Sequence, residues 1–240
     1  MEYTMKKFPI SVEEMCERFE KIPSPTIYDT LDLGGFDLPH QILDINIKPL
    51  LPHMTIAGPA FTLMGHEEVR TREEMDNKPW FEDYANFRAM FPNCVIVQNP
   101  GKNPVTSNYG GMMARASKNQ GARGLVNDGN VRDTVKDHLR IPGWSVFTRN
   151  HGPIEAYRRW RPREFMVPIA MTGQLVAQVR VNPYDWIVGD WDGVHVIPQE
   201  IAYDVLLKAE EIEKVEELTR QDLARGEAIW DVFAKGGRRL

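Results

Sequence analysis

Cysteine is nearly absent: only Cys16 and Cys94 occur in 240 residues, and no CxxC spacing exists. That excludes a disulfide framework and a thiolate zinc site as organising features. Long apolar runs are missing too. No window approaches the roughly 20 apolar residues of a membrane-spanning helix. Lys6 and Lys7 are followed by acids rather than an apolar stretch, so no signal peptide is expected and the cytoplasm is the default location. Positive charge is in deficit, with 29 Lys and Arg against 34 Asp and Glu, a net charge of −5. The generic basic footprint of a nucleic-acid binder is therefore absent, and neither nucleic acid nor membrane is expected as a partner. Repeats, low-complexity tracts and Gly/Ser linkers are lacking as well.

What is present fits a folded protein. Hydrophobic residues make up 42% and charged residues 26%, a balance that excludes wholesale disorder. The length supports a substantial core in one domain over 1–240, with an N-terminal helix within 1–22 and a C-terminal helical arm over 199–240. Ser11, with Glu14 three residues on, predicts a helix over 11–21 in a capping-box pattern. A second helical run is IYDTLD, after Ser24-Pro25-Thr26. Residues 54–64 predict one or two strands around a Gly-Pro break, and 70–90 a helix. CVIVQN predicts a buried strand, 111–120 a helix ending at Gly121, and RGLVND a strand closed by Asp128. VRDTVKDHL predicts another helix. Short strands follow in WSVFTR, FMVPIAM, LVAQVRV, DWIVGD and VHVIP, then a long helix from Gln199 to about Arg225. The alternation of strand and helix in the middle predicts an α/β fold with parallel pairing and mixed sheets overall.

The richest loop signal is QNPGKNPVTSNYGG over 98–111, with two prolines, three glycines and three asparagines. A long loop between apolar elements is a common place for a site. Gly110-Gly111 opens a helix, where unpartnered N–H groups and the helix dipole can cradle a carboxylate or phosphate. A plain glycine turn reads the same way. Beyond the next strand stand Arg132 and Asp133. Arginine can fork onto a carbonyl or carboxylate oxygen, and an aspartate can hold a hard divalent cation with water. Taken singly, Arg132 reads as a surface ion-pair residue, Asp133 as a helix-end charge and Asp128-Gly129 as a turn. Together they put a cradle, a guanidinium and an acid into one βαβ unit.

GGMMARASKNQGARGLVNDGNVRD resembles the signature of the RraA-like family, which includes the class II 4-hydroxy-4-methyl-2-oxoglutarate/4-carboxy-4-hydroxy-2-oxoadipate aldolases. SPTIYDTLD, IAGPAFTL and VNPYDWIVGDWDGVHVIPQE are similar to its other blocks, so the resemblance covers roughly 22–225. It implies a swivelling β/β/α fold, with a central βαβ unit and trimers or hexamers with sites between subunits. It also implies a lyase that cleaves a 4-hydroxy-2-oxo acid, or decarboxylates oxaloacetate, to pyruvate with Mg²⁺ or Mn²⁺. Carried over, Asp133 would ligate the metal, Arg132 would bind the pyruvyl oxygen, and amides around Gly110, Gly111, Met112 and Met113 would hold the pyruvyl carboxylate. A metal-bound water would transfer a proton. Glu216 from a neighbouring subunit would approach the metal, with Glu213 and Glu217 as alternatives in register. Three departures stand out. Gly111 replaces an acid that helps to order metal-bound water, Tyr184 replaces the glycine of an N-P-G-D turn, and extra residues lie at 158–165.

Other members of the family regulate RNA degradation by binding a ribonuclease and helicases, so a non-catalytic regulator is the alternative of another class. A lyase of the same scaffold with a different 2-oxo acid is a third reading. His66 could line the site, and His138 and His151 are weaker candidates. His40, His53 and His195 have no metal-ligand spacing. Cys94, Trp186 and Trp191 read as packing residues. Lys118 lies mid-helix and gives no support to a Schiff-base mechanism.

Overall fold

The computed structural model describes residues 3–77, 87–103 and 105–234. Ser11 caps α1 (Val12–Phe19) by accepting the Glu14 N–H at 3.0 Å, and α2 (Ser24–Leu33) opens with Pro25 in its first turn. A short β1 (Lys48–Pro49) precedes β2 (Ile56–Glu67), which is a single strand of 12 residues. The expected break at Gly58-Pro59 does not occur. Pro59, which has no N–H to give, sits at the end of one ladder, so the strand continues and changes neighbour there.

α3 (Arg72–Asp76) carries a full capping box between Thr71 and Glu74. Of the helix expected over 70–90, the described residues hold those five and a 3-10 turn at 87–89, and 78–86 lie outside the described residues. Next come β3 (Val95–Asn99), β4 (Ser107–Tyr109), α4 (Gly111–Asn119) and β5 (Gly124–Val131). β4 is a strand inside the predicted loop. The expected turn at Asp128-Gly129 lies within β5, as a bulge where the register shifts between Asn127 and Asn130.

The helix expected from VRDTVKDHL does not form. Turns and a short 3-10 segment, His138–Arg140, lead to β6 (Ser145–His151). Asp133 takes φ +62°, and this left-handed residue interrupts the right-handed run that the apolar spacing favours. The chain closes with β7 (Trp160–Phe165), β8 (Ile169–Thr172), β9 (Gln178–Val181), β10 (Trp186–Gly189), β11 (Val194–Ile197), α5 (Ala202–Ala224) and α6 (Ile229–Ala234). Tyr184 takes φ +70° in the Asn182-Pro183-Tyr184-Asp185 turn, and its ring meets Phe91 at 5.2 Å. The left-handed position is thus kept without glycine.

The main sheet runs β1-β6-β5-β3-β2-β10-β11, with β4 on β5 and β7 on β2. β2, β3, β5 and β6 pair in parallel, and β1, β7, β10 and β11 pair antiparallel. β8 and β9 form a separate hairpin. The mixed α/β architecture with C-terminal helices agrees with expectation. Strand alternation sorts side chains into layers. Ile56, Ala60, Val95, Val97, Val126 and Phe147 pack towards the β8–β9 hairpin. Phe61, Leu63, Ile96, Leu125 and Val146 meet Ala114 of α4 on the other side. A third cluster joins α1, α2 and α5 to Ala57, Trp186 and Val188. Arg18 forks onto both oxygens of Glu210 at 2.7 and 2.6 Å, fixing α5 to α1.

Candidate functional site

The parallel strands end beneath a cleft of about 440 Å³. Its floor carries Gly110, Met112 and Met113 at the start of α4, with Arg132 and Asp133 just after β5. This is the expected place for a ligand in such a sheet. Asp133 is the geometric centre. Its Oδ2 accepts the Gly111 N–H at 3.0 Å and lies 3.6 Å from Arg132 Nε. Arg132 Nη2 in turn reaches Glu155 Oε1 at 3.2 Å. The left-handed backbone at Asp133 is what turns its carboxylate back to α4, and such strained residues concentrate at functional sites. Arg132 and Asp133 also border a second, more open hollow with Thr134, Val135, His151, Gly152 and Pro153.

The cradle differs in one respect from the arrangement the resemblance implies. The Gly111 amide is engaged by Asp133, so it does not face a ligand freely. The Met112 and Met113 N–H groups have no partner among the described residues. Gly111 is small for a packing reason. A Cβ placed there would stand 2.3 Å from Asp137 Cβ and 2.5 Å from its Oδ2. Asp137, whose Oδ1 takes two hydrogen bonds from Arg115 at 2.8 and 2.7 Å, fills the space a side chain at 111 would use.

No group of three His, Cys, Asp or Glu that could hold a metal forms among the described residues. The donors near the cradle are hard carboxylates: Asp133 on the Gly111 amide, Asp137 behind Gly111 and Glu155 beyond Arg132. That does not suit a closed zinc site, but it fits a divalent cation that keeps much of its water shell. Within this chain Glu213, Glu216 and Glu217 do not line the cleft. All three pair with Arg220, and Glu213 also accepts from Thr26 Oγ1 at 3.0 Å.

The remaining candidates fall outside the cleft. His66 bonds to the Glu67 carbonyl at 2.5 Å. His138 is fully buried, accepts from Trp144 Nε1 at Nδ1, and is held below its usual pKa by burial. His195 is buried against Ser24, and burial pushes it down to about 4. Lys118 donates to the Gly143 carbonyl at 2.7 Å, and desolvation lowers its pKa. Asp128 is a brace: it accepts from Arg149 at 2.6 Å and from Thr172 N and Oγ1 at 2.7 Å.

Sequence reasoning missed the far wall. Glu68, Arg70, Tyr157, Arg158, Trp160 and Arg161 line it, brought there because β7 folds back on the end of β2. Glu68 is a buried carboxylate that burial would raise, but Arg70 and Arg161 hold it below its ordinary range. The one available signal was the set of extra residues at 158–165.

The model of the family described as RraA-like, Aldolase/RraA, matches residues 24–196. A Halalkalibacterium halodurans protein assigned provisionally as 4-hydroxy-4-methyl-2-oxoglutarate aldolase is 31% identical over 222 residues, covering 91% of this chain and 90% of its own length. Protein DlpA of Legionella pneumophila is 27% identical over 208 residues, 86% of this chain. This chain spans only 31% of DlpA, and 58% of a 34%-identical Methanocaldococcus jannaschii protein, which matches 53% of this chain. The crystal structure of Streptomyces coelicolor RraAS2, an unusual member of the RNase ES inhibitor RraA protein family, superimposes with a TM-score of 0.69 at 24% identity. That match covers 89% of this chain and 99% of that one. Among the described residues, no helix is long and apolar enough to cross a membrane. By the extent of the family match, and by a fold shared with an RraA structure, the chain belongs to the RraA-like family.

Proposed function

We propose that the chain is a divalent-cation-dependent lyase that releases pyruvate from a 2-oxo acid, by retro-aldol cleavage of a 4-hydroxy-2-oxo acid or by decarboxylation of oxaloacetate. The observation that carries this reading is the convergence of Asp133, Arg132 and the Met112 and Met113 amides, which have no partner among the described residues, at one end of a 440 Å³ cleft. In the retro-aldol reaction the C3–C4 bond breaks as the 4-hydroxyl loses its proton. The electron pair moves into the C2–C3 bond and charge gathers on the C2 oxygen. The hydroxyl proton passes to water, C4 leaves as the carbonyl of the second product, and water protonates C3 to give pyruvate; with oxaloacetate the group that leaves is CO₂. Arg132 supplies a fixed cation beside that growing charge. The Met112 and Met113 amides orient the carboxylate. Asp133 would hold Mg²⁺ or Mn²⁺, which when bound adds Lewis-acid stabilisation of the same oxygen.

The assembly belongs to this reading. Met112 and Tyr157 of the cleft and Val135 of the neighbouring hollow stand exposed, and apolar residues gathered beside a site are what a second subunit covers. A homotrimer or hexamer would bring the neighbour's α5 acids, Glu216 first, towards Asp133. The cytoplasm is the compartment this chemistry suits. The test is pyruvate release from oxaloacetate and from 4-hydroxy-2-oxo acids with Mg²⁺ or Mn²⁺. Activity abolished by EDTA and by Asp133→Asn is expected. Activity that survives both rejects the mechanism. Ribonuclease binding with no lyase activity would favour the regulatory alternative.

A further inference from the structure

Behind the cleft floor lies a group of buried amides that the proposed chemistry does not use. Gln98 of β3 and Asn127 of β5 face each other across the parallel ladder, and both are fully buried. Asn108 of β4, two residues before the α4 N-cap, is 5% exposed and touches the cleft. Four polar atoms of this trio have no partner among the described residues: Gln98 Oε1, Gln98 Nε2, Asn108 Oδ1 and Asn127 Oδ1. Buried polar groups in folded proteins are almost always paired, so such a concentration calls for an occupant.

The two asparagine oxygens are fixed as oxygens. Asn127 Nδ2 donates to the Asn130 carbonyl at 3.0 Å. Asn108 Nδ2 donates to Thr106 Oγ1 at 3.0 Å, and the Thr106 hydroxyl gives its own hydrogen to Asn103 Oδ1 at 2.9 Å. Flipping either amide would set acceptor against acceptor, or donor against nothing. Both oxygens also converge. The point where a Cβ of Gly129 would stand is 2.8 Å from Asn108 Oδ1 and 3.3 Å from Asn127 Oδ1. Pro100 Cγ stands 2.7 Å from the same point, so a side chain at 129 would collide with that ring as well as crowd both oxygens.

The chemistry of the trio selects the occupant. Two fixed acceptors require a donor, and the Gln98 amide nitrogen requires an acceptor. Neutral amides carry no charge to offset the desolvation of a buried cation, and an anion would face the two fixed oxygens. Water meets both needs, with two hydrogens to give and lone pairs to receive. We infer that this recess is a binding site for an ordered water molecule. It accepts from Gln98 Nε2 and donates to Asn108 Oδ1 and Asn127 Oδ1. That water joins β3 and β5 to the segment leading into α4, so Asn108 becomes a positioning residue for the Met112 and Met113 amides. The inference concerns the folded chain and stands whether or not the lyase reading does.

The full chain should be crystallised at a resolution that orders solvent. A peak with three amide contacts of about 2.7–3.2 Å is expected. An empty recess, amides bonded directly to one another, or a peak ringed by five or more short oxygen contacts overturns the inference. Gln98→Leu, nearly isosteric, gives a second reading by its sign. If water bridges the trio, the variant strands the two acceptors and its melting temperature falls by about 2–10 °C. If the recess is dry, the variant removes unpaired polar atoms. A melting temperature that rises or stays level therefore also overturns the inference. Should the variant fail to fold, the solvent peak alone decides.

Discussion

Restoring an acid at position 111 should fail unless Asp137 makes room. In the family pattern an acid stands where this chain has Gly111, and the structure gives the reason for the exchange. A Cβ at 111 would sit 2.3 Å from Asp137 Cβ and 2.5 Å from Asp137 Cγ. Even Gly111→Ala must therefore displace a turn, at a cost of about 1–3 kcal/mol. Gly111→Asp adds repulsion between like charges. Asp137→Gly gives up the Arg115 ion pair, worth about 0–1 kcal/mol because Arg115 is half-exposed. It also adds about 0.5–1 kcal/mol of backbone entropy. The double variant Gly111→Asp/Asp137→Gly should then lie at least about 1 kcal/mol above the sum of the singles. Urea unfolding of the parent and three variants measures this coupling. Additivity within about 0.5 kcal/mol would show that the two positions do not compete for the same space.

Further outcomes follow from burial and charge. Cys16 and Cys94 are fully buried, and burial pushes both thiols up to about 12. A disulfide-exchange reagent at pH 8 should label neither in the native chain and both in denaturant; rapid native labelling would contradict the packing. His195 is held neutral, its pKa pushed by burial to about 4. The unfolded chain therefore binds the extra proton between about pH 6.5 and 4. The stability His195 contributes is complete above that window and lost as pH falls through it, by about 3 kcal/mol in all. Asp185, raised by burial to about 6, acts in the opposite direction over nearly the same range. Comparison with His195→Gln at pH 7 and 4.5 isolates the histidine, and equal losses in the two proteins would refute its neutrality. Arg132→Lys should lower kcat for pyruvate release by about 100-fold or more, as loss of an oxyanion donor does. A change confined to KM would place Arg132 in binding alone.

Much of the scaffold was legible because its strands are short apolar runs with clear punctuation. CVIVQN, DWIVGD and VHVIP became β3, β10 and β11 within a residue or two. The Gly-to-Arg-Asp segment also located the cleft floor. The errors have physical causes. Val131, Val135 and Leu139 carry helical spacing, yet Asp133 is left-handed, a backbone choice that composition does not reveal. Gly58-Pro59 reads as punctuation, but the lost N–H falls at the end of a ladder, where it costs little. Asp128-Gly129 reads as a turn, but Arg149 and Thr172 hold Asp128 inside β5. The far wall was hidden because it depends on β7 doubling back on β2 across nearly 100 residues of sequence, and no local pattern signals such a pairing.

Anomalous diffraction from crystals soaked in Mn²⁺ and pyruvate shows whether Asp133 holds the cation beside the bound keto acid. One manganese peak is expected about 2.0–2.3 Å from an Asp133 carboxylate oxygen, with pyruvate between it and the α4 amides and its keto oxygen towards Arg132. Manganese and pyruvate bound elsewhere, or a cleft that stays empty at saturating concentrations of both, would contradict that role for Asp133.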